Sequence, residues 1–243
     1  MRFNKFKNIL FTSSKVEDGN MSFKKGSPKE VLKNRRRFLK ALGINLNQIV
    51  TLAPIHGSKI VIVDKKDLGK GAKTSLDAIE ADGLITNQSG IYLFLKTGDC
   101  IPLGIFDPTN KVVGMAHASR ESLESGILKN TIMLMQLNYK SDPKNLVANF
   151  GPSIGPCCYI RSYPKKSNGI LKPYTKKIAK ASYSIDIWSL AKDQLFNLGL
   201  KIENIHNPQL CTYHNNQYFS HRKAINENLE NDFRFASVIG IND

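Results

Sequence analysis

The sequence predicts an α+β fold, a mixed β-sheet sandwich with flanking helices, on three observations. Residues 48–118 read as six successive strands. The clearest helical patterns stand apart from them, near 27–43, 121–137 and 186–198. No regular strand–helix–strand alternation of the kind that builds a parallel doubly wound sheet recurs along the chain. At 243 residues the chain is long enough for one substantial core. No internal repeat, low-complexity tract or linker divides it, so residues 1–243 are expected to form a single domain.

Ser27-Pro28-Lys29-Glu30 opens the first helix. Serine caps, proline suits the first helical position, and glutamate three residues after the serine completes a capping box. Val31, Leu32, Phe38, Leu39 and Leu42 follow at roughly helical spacing, and Gly43 ends the helix. Strands are then predicted at 48–53, 59–64, 83–87, 91–97, 101–106 and 111–117, with a turn at Asp107–Asn110. The polar stretch from Lys65 to Glu80 reads as a loop. A second helix is expected from Glu121 to Leu137, with Leu123, Ile127, Ile132 and Leu134 toward the core. Ser141-Asp142-Pro143 breaks the chain before a strand at 146–150. Residues 161–185 are lysine-rich with little periodicity and read as a loop with one short helix. An amphipathic helix at 186–198 carries Trp188, the only tryptophan, as a packing residue, and 233–241 is a closing strand.

Composition narrows the class. A hydrophobic share of 41% is ordinary for a soluble protein, and no apolar stretch approaches the roughly 18 residues of a membrane helix. The basic N-terminus lacks a signal-peptide apolar region, so a cytoplasmic location is expected. Four cysteines without a C-x-x-C pair or a dense framework point to reduced thiols rather than disulfides. A net charge of +15 raises the question of nucleic acid. Its lysines are dispersed, with local clusters only at Arg35–Arg37 and Pro164–Lys166, and no nucleic-acid motif accompanies them. That argues for a solvated surface that gathers anionic substrates and against a nucleic-acid partner.

Three residues carry chemistry. His56, Cys100 and His117 each stand at or near the end of an apolar run, where active sites in mixed folds collect. Two histidines and one cysteine make the ligand set of an open catalytic zinc site. They lie 44 and 17 positions apart. That spacing fixes no local geometry, and taken alone it also fits satisfied core histidines and an inert buried thiol.

The ordered phrases Asn34-Arg35, Ile55-His56-Gly57, Ala81–Thr86, Gly98–Pro102, Ala116–Ala118, Gly151–Gly155 with Cys157-Cys158-Tyr159, Cys211-Thr212 and Phe219–Arg222 resemble those of the laccase-domain family, also called the multicopper-oxidase-like or peptidoglycan-editing-factor family. The resemblance runs from about residue 8 to residue 241. It implies the α+β sandwich fold shared with the cytotoxic-necrotizing-factor type. It also implies a zinc-dependent purine nucleoside enzyme: phosphorolysis of adenosine, inosine, guanosine and methylthioadenosine, with possible hydrolytic deamination of adenosine. Carried across position by position, His56, Cys100 and His117 are the metal ligands, with copper as an adventitious substitute for zinc. Asp99 is expected to orient a ligand or pocket group. Asn34, Arg35, Arg120 and Arg222 are expected substrate contacts, and the Gly151–Gly155 amides either contact an anion or merely shape the rim. The partners implied are purine nucleosides and phosphate, with a monomer favoured.

One segment departs from the family pattern. The family continues past its third ligand as His-Ala-Gly-Trp-Arg-Gly, whereas this chain reads His117-Ala118-Ser119-Arg120-Glu121-Ser122. Glu121 either opposes a phosphate or sits in a first helical turn facing solvent. Three rival functions stand beside the zinc enzyme. A copper laccase is disfavoured, because five histidines include no H-x-H pair. A cysteine hydrolase or peptidoglycan-editing role would use Cys100 as nucleophile. A non-enzymatic module with an altered site would bind nucleic acid or another ligand without turnover.

Overall fold

Alternate side chains of the central strands enter different cores, and that alternation sets the architecture. The structure, a computed structural model, describes Phe6, residues 8–163 and residues 169–242; the Pro164–Lys166 cluster therefore lies outside the described residues. One sheet holds β1 (Ile9–Ser13), β2 (Ile49–Ala53), β4 (Ile79–Glu80), β6 (Tyr92–Thr97) and β14 (Phe235–Ile241), in the order β1-β14-β6-β2-β4. A second holds β3 (Ile60–Ile62), β5 (Gly83–Thr86), β7 (Ile101–Asp107), β8 (Val112–Ala118), β9 (Val147–Phe150) and β13 (Ile205–His206), in the order β13-β9-β7-β8-β5-β3. Leu93 and Leu95 of β6 share a core between the sheets with Val113 and Met115 of β8. Tyr92 and Phe94, on the other face of β6, pack with Phe38 and Leu39 of α1 (Pro28–Ala41). On the far side, Val112, Ala116 and Ala118 of β8 pack with Leu123 of α2 (Arg120–Glu124), Ile127 and Ile132 of α3 (Ile127–Tyr139), and Leu190 of α4 (Ile187–Asn197).

The result is a sandwich of two sheets with helices on both outer faces. Strands buried on both sides read as near-continuous apolar runs, which is why they were legible in sequence. Gly104 marks a close approach of the sheets: a Cβ there would lie 2.9 Å from the Phe11 ring and 3.1 Å from Ile239.

Several expectations need correction. Ser27 caps α1 without a side-chain hydrogen bond, so the capping box does not form. The helix expected over 121–137 is two helices, because Gly126 adopts a left-handed φ of 82° between them. The 161–185 stretch is no simple loop. β11 (Thr175–Ala179) and β12 (Ser182–Ile185) form a hairpin that pairs with β10 (Ile160–Arg161) as a third sheet. β1 pairs with β14 in full register, and a short α5 (His221–Asn226) precedes it; neither was read from sequence.

Candidate active site

Strand register brings Cys100 and His117 to one place. β7 and β8 are antiparallel with Ile101 opposite Ala118 and Pro102 opposite His117. The position facing Cys100 is therefore Ser119, and His117 is its diagonal neighbour on the same side of the ladder. Cys100 closes the turn that carries the chain from β6 in the first sheet to β7 in the second. His56 follows β2 of the first sheet, in a left-handed conformation with φ of 59° that a non-glycine residue seldom adopts. Its ring lies 4.9 Å, centroid to centroid, from that of His117, at 83°. His56, Cys100 and His117 all line one cavity of about 600 Å³.

Asp82, fully buried, holds both histidines. Its Oδ1 accepts the backbone N–H of His56 at 2.9 Å, its Oδ2 that of Gly57 at 2.8 Å, and Oδ1 lies 3.4 Å from His117 Nδ1. Burial raises the Asp82 carboxyl, but these hydrogen bonds prevail and hold it below its ordinary value. Burial lowers His117 and outweighs Asp82, so the imidazole is neutral near pH 7, the form that ligates a metal. Burial, with Asp99 and Glu121 nearby, pushes the Cys100 thiol up to about 12. It is thus protonated unless a cation stands beside it, which weighs against a free thiolate nucleophile. The donor set, the neutral His117 and the carboxylate behind it are chemistry suited to a borderline metal ion.

The remaining expected residues are placed differently. Asp99 turns its carboxylate to Thr212 Oγ1, Ser220 Oγ and the Arg222 backbone N–H at 2.6–2.7 Å. It organises the 212–222 segment, and the outer carboxylate of the histidines is Asp82 instead. Arg35 lines the cavity, yet its guanidinium donates to the carbonyls of Met21, Gly71 and Ala72. It occupies the apolar face of α1, one turn after Val31, and is only 1% exposed, so it is no surface charge. Asn34 donates to the Asn20 carbonyl. Arg120 pairs with Glu121 and Glu124 of its own helix. Arg222 donates from its side chain to the Ile160 carbonyl. None of Asp99, Asn34, Arg120 and Arg222 is among the cavity-lining residues. The Gly151–Gly155 amides are also spent, on Pro102 O, Leu210 O, Asp99 O and Cys211 Sγ, so the loop offers no anion nest.

Sequence reasoning missed several lining residues. Lys96 points into the cavity from β6, its Nζ 2.8 Å from the Leu52 carbonyl, and enclosure beside Arg35 and Lys24 lowers it to about 7. A lone lysine inside Ile91–Thr97 was the available signal. His221 Nδ1 lies 3.0 Å from both Asp232 oxygens, and Asp232 also pairs with Arg234; all three line the cavity. Elsewhere Cys157, Cys158, Cys211 and His214 form a group that could hold a metal, their ligand atoms all within 4.8 Å of one another.

The chain belongs to the multi-copper polyphenol oxidoreductase laccase family, whose model matches residues 10–242. Among its relatives, the purine nucleoside phosphorylase YlmD of Geobacillus stearothermophilus is 30% identical over 204 residues, covering 80% of this chain and 74% of that protein. The Escherichia coli purine nucleoside phosphorylase YfiH is 29% identical, over 81% of this chain and 77% of that one. The crystal structure of the Geobacillus YlmD superposes with a TM-score of 0.88 at 27% identity, covering 98% of this chain and 93% of that one. Among the described residues, no helix is long and apolar enough to cross a membrane.

Proposed function

We propose that this chain is a zinc-dependent purine nucleoside phosphorylase, with His56, Cys100 and His117 as the metal ligands. The observation that carries the reading is their convergence on one cavity, with a buried carboxylate behind His117. Bound there, zinc would supply Lewis acidity to an oxygen of the reacting partners. Asp82 takes the Nδ1 proton of His117 as a hydrogen bond and leaves Nε2 free to ligate.

The other walls divide the remaining work. Phe23, Pro54 and Ile55 give the cavity apolar surface for a flat purine. Lys24, Lys25, Lys96 and Arg234 give it a positive field for phosphate. His221, braced by Asp232, is the group placed to pass a proton to the departing base. Adenosine, inosine, guanosine and methylthioadenosine share the bond to be cleaved. Deamination of adenosine would use the same ligands with water and no phosphate.

Metal analysis and a chromatographic screen of nucleosides with and without phosphate test the assignment. His56→Ala, Cys100→Ala and His117→Ala should each lose one equivalent of zinc and the conversion of adenosine to adenine. A His117→Ala protein with full wild-type metal and turnover overturns it.

A further inference from the structure

We propose that Cys157, Cys158, Cys211 and His214 form a second, structural zinc site that fastens the 155–158 turn to the 211–215 turn. The four ligand atoms stand within 4.8 Å of one another, close to the spacing of a tetrahedral shell. Zn–S bonds of about 2.3 Å and Zn–N bonds of about 2.0–2.1 Å place ligand atoms at the corners of a tetrahedron with S···S edges of about 3.8 Å and S···N edges of about 3.5 Å. Here Cys157 Sγ lies 3.7 Å from Cys211 Sγ and 3.8 Å from His214 Nδ1, and Cys158 Sγ lies 3.7 Å from the same nitrogen.

The surroundings are built for it as well. The Gly155 backbone N–H donates to Cys211 Sγ at 3.3 Å, the hydrogen bond that steadies a metal thiolate. A side chain at Gly155 would crowd the group: a Cβ would come 2.8 Å from the Trp188 ring and 3.3 Å from Cys157 Sγ. Ser153 bridges to Cys211 across the two segments. Four protein ligands leave no open position, so the site is closed and structural, unlike the three-ligand set at His56, Cys100 and His117. On binding, each thiol gives its proton to solvent and the ion takes three thiolates and one imidazole. A Cys157–Cys211 disulfide is the competing arrangement. It would need the two sulfurs to close from 3.7 Å to about 2.05 Å and would leave Cys158 and His214 without a role.

The site also has a reason to exist. Ile154 N–H donates to the Asp99 carbonyl and Thr212 Oγ1 to the Asp99 carboxylate, at 2.8 and 2.7 Å. Fastening these two turns thus fixes the residue preceding Cys100, in its left-handed φ of 101°.

The test uses full-length protein, reduced and freed of metal, in a Cys100→Ala background that removes the first metal site. Titration with Co2+ should give one equivalent of tetrahedral cobalt with a thiolate-to-metal band. Cys211→Ser should abolish that band, and His214→Cys should retain it with added thiolate intensity, which also shows that the fold tolerates change there. Zinc should displace the cobalt. No tetrahedral band in the reduced protein, or a band indifferent to Cys211→Ser, overturns the proposal. The zinc reading at His56, Cys100 and His117 stands or falls separately, on loss of metal and turnover in the single Cys100→Ala protein.

Discussion

Asp82 and His117 meet twice: the His117 backbone N–H donates to the Asp82 carbonyl at 2.8 Å, and His117 Nδ1 lies 3.4 Å from the Asp82 carboxylate. The same side chain caps the backbone of His56 and Gly57. One buried carboxylate thus sets the backbone of one imidazole and the ring of the other.

Asp82→Asn should lower zinc affinity by roughly 10- to 100-fold, the usual cost of losing an outer carboxylate. Because the folded carboxyl lies below its ordinary value of 3.8, its contribution to stability is complete above that value and is lost as pH falls through the lower folded one. Urea midpoints across the acid range should therefore fall less steeply in Asp82→Asn than in wild type. Parallel acid limbs would remove Asp82 from this account.

Lys96 should be a cation for the ligand and a liability for the fold. Its folded value near 7 lies beneath the ordinary 10.5, so stability is lowest below pH 7 and rises as pH climbs from 7 toward 10.5. Lys96→Met should be more stable than wild type at pH 6. Sulfate, whose charge is constant over this range, should bind wild type more weakly as pH rises above 7. In Lys96→Met, sulfate should bind roughly 10- to 100-fold more weakly at pH 6, the worth of one charge-assisted hydrogen bond. Equal sulfate affinity in the two proteins at pH 6 would exclude Lys96 from the anion site.

Arg35→Lys should destabilise the protein by about 2–4 kcal/mol, measured by urea unfolding. A lysine has no planar fork for the three carbonyls of Met21, Gly71 and Ala72. A loss below about 1 kcal/mol would show that the guanidinium is available to a ligand.

Glu121 lies in the first turn of α2, behind the Ser119 cap, where an acidic residue is favourable, and pairs with Arg120. Glu121→Arg should change the phosphate-dependent rate by no more than an exposed charge pair is worth, about 1 kcal/mol. Glu121→Gln should lower the Cys100 value, because the carboxylate is among the groups raising it. Alkylation rates of metal-free protein against pH would register that shift, and an unmoved profile would contradict it.

How much of this was legible follows from where the determinants lie. β2, β6 and β8 were readable because they are buried almost throughout, and their ends delivered His56, Cys100 and His117 by position. The β11–β12 hairpin was not readable: β11 is exposed over Lys176–Ala179 and carries an irregular register there, so no apolar alternation marks it. Asp82 was visible only as part of a phrase, since its partners lie 26 and 35 residues away. Cys157 and Cys211 stand 54 residues apart, and the parallel bridge of Ser153 to Cys211 that draws their segments together is announced by no periodicity. Arg35, expected to contact substrate, lies in the cavity wall with its guanidinium on the carbonyls of Met21, Gly71 and Ala72, acceptors 14, 36 and 37 positions away that no pattern in the sequence marks.

The proposed metal ligands come from both layers of the sandwich: His56 follows the first sheet, His117 belongs to the second, and Cys100 sits on the crossing between them. An ion held by all three would act as a rivet through the two plates. Its binding energy would then resist their separation, and the midpoint of thermal unfolding would rise with the logarithm of free zinc once the site is filled. In Cys211→Ser protein, which lacks the second site, melting temperature read against buffered metal concentration would report how tightly the cavity is loaded.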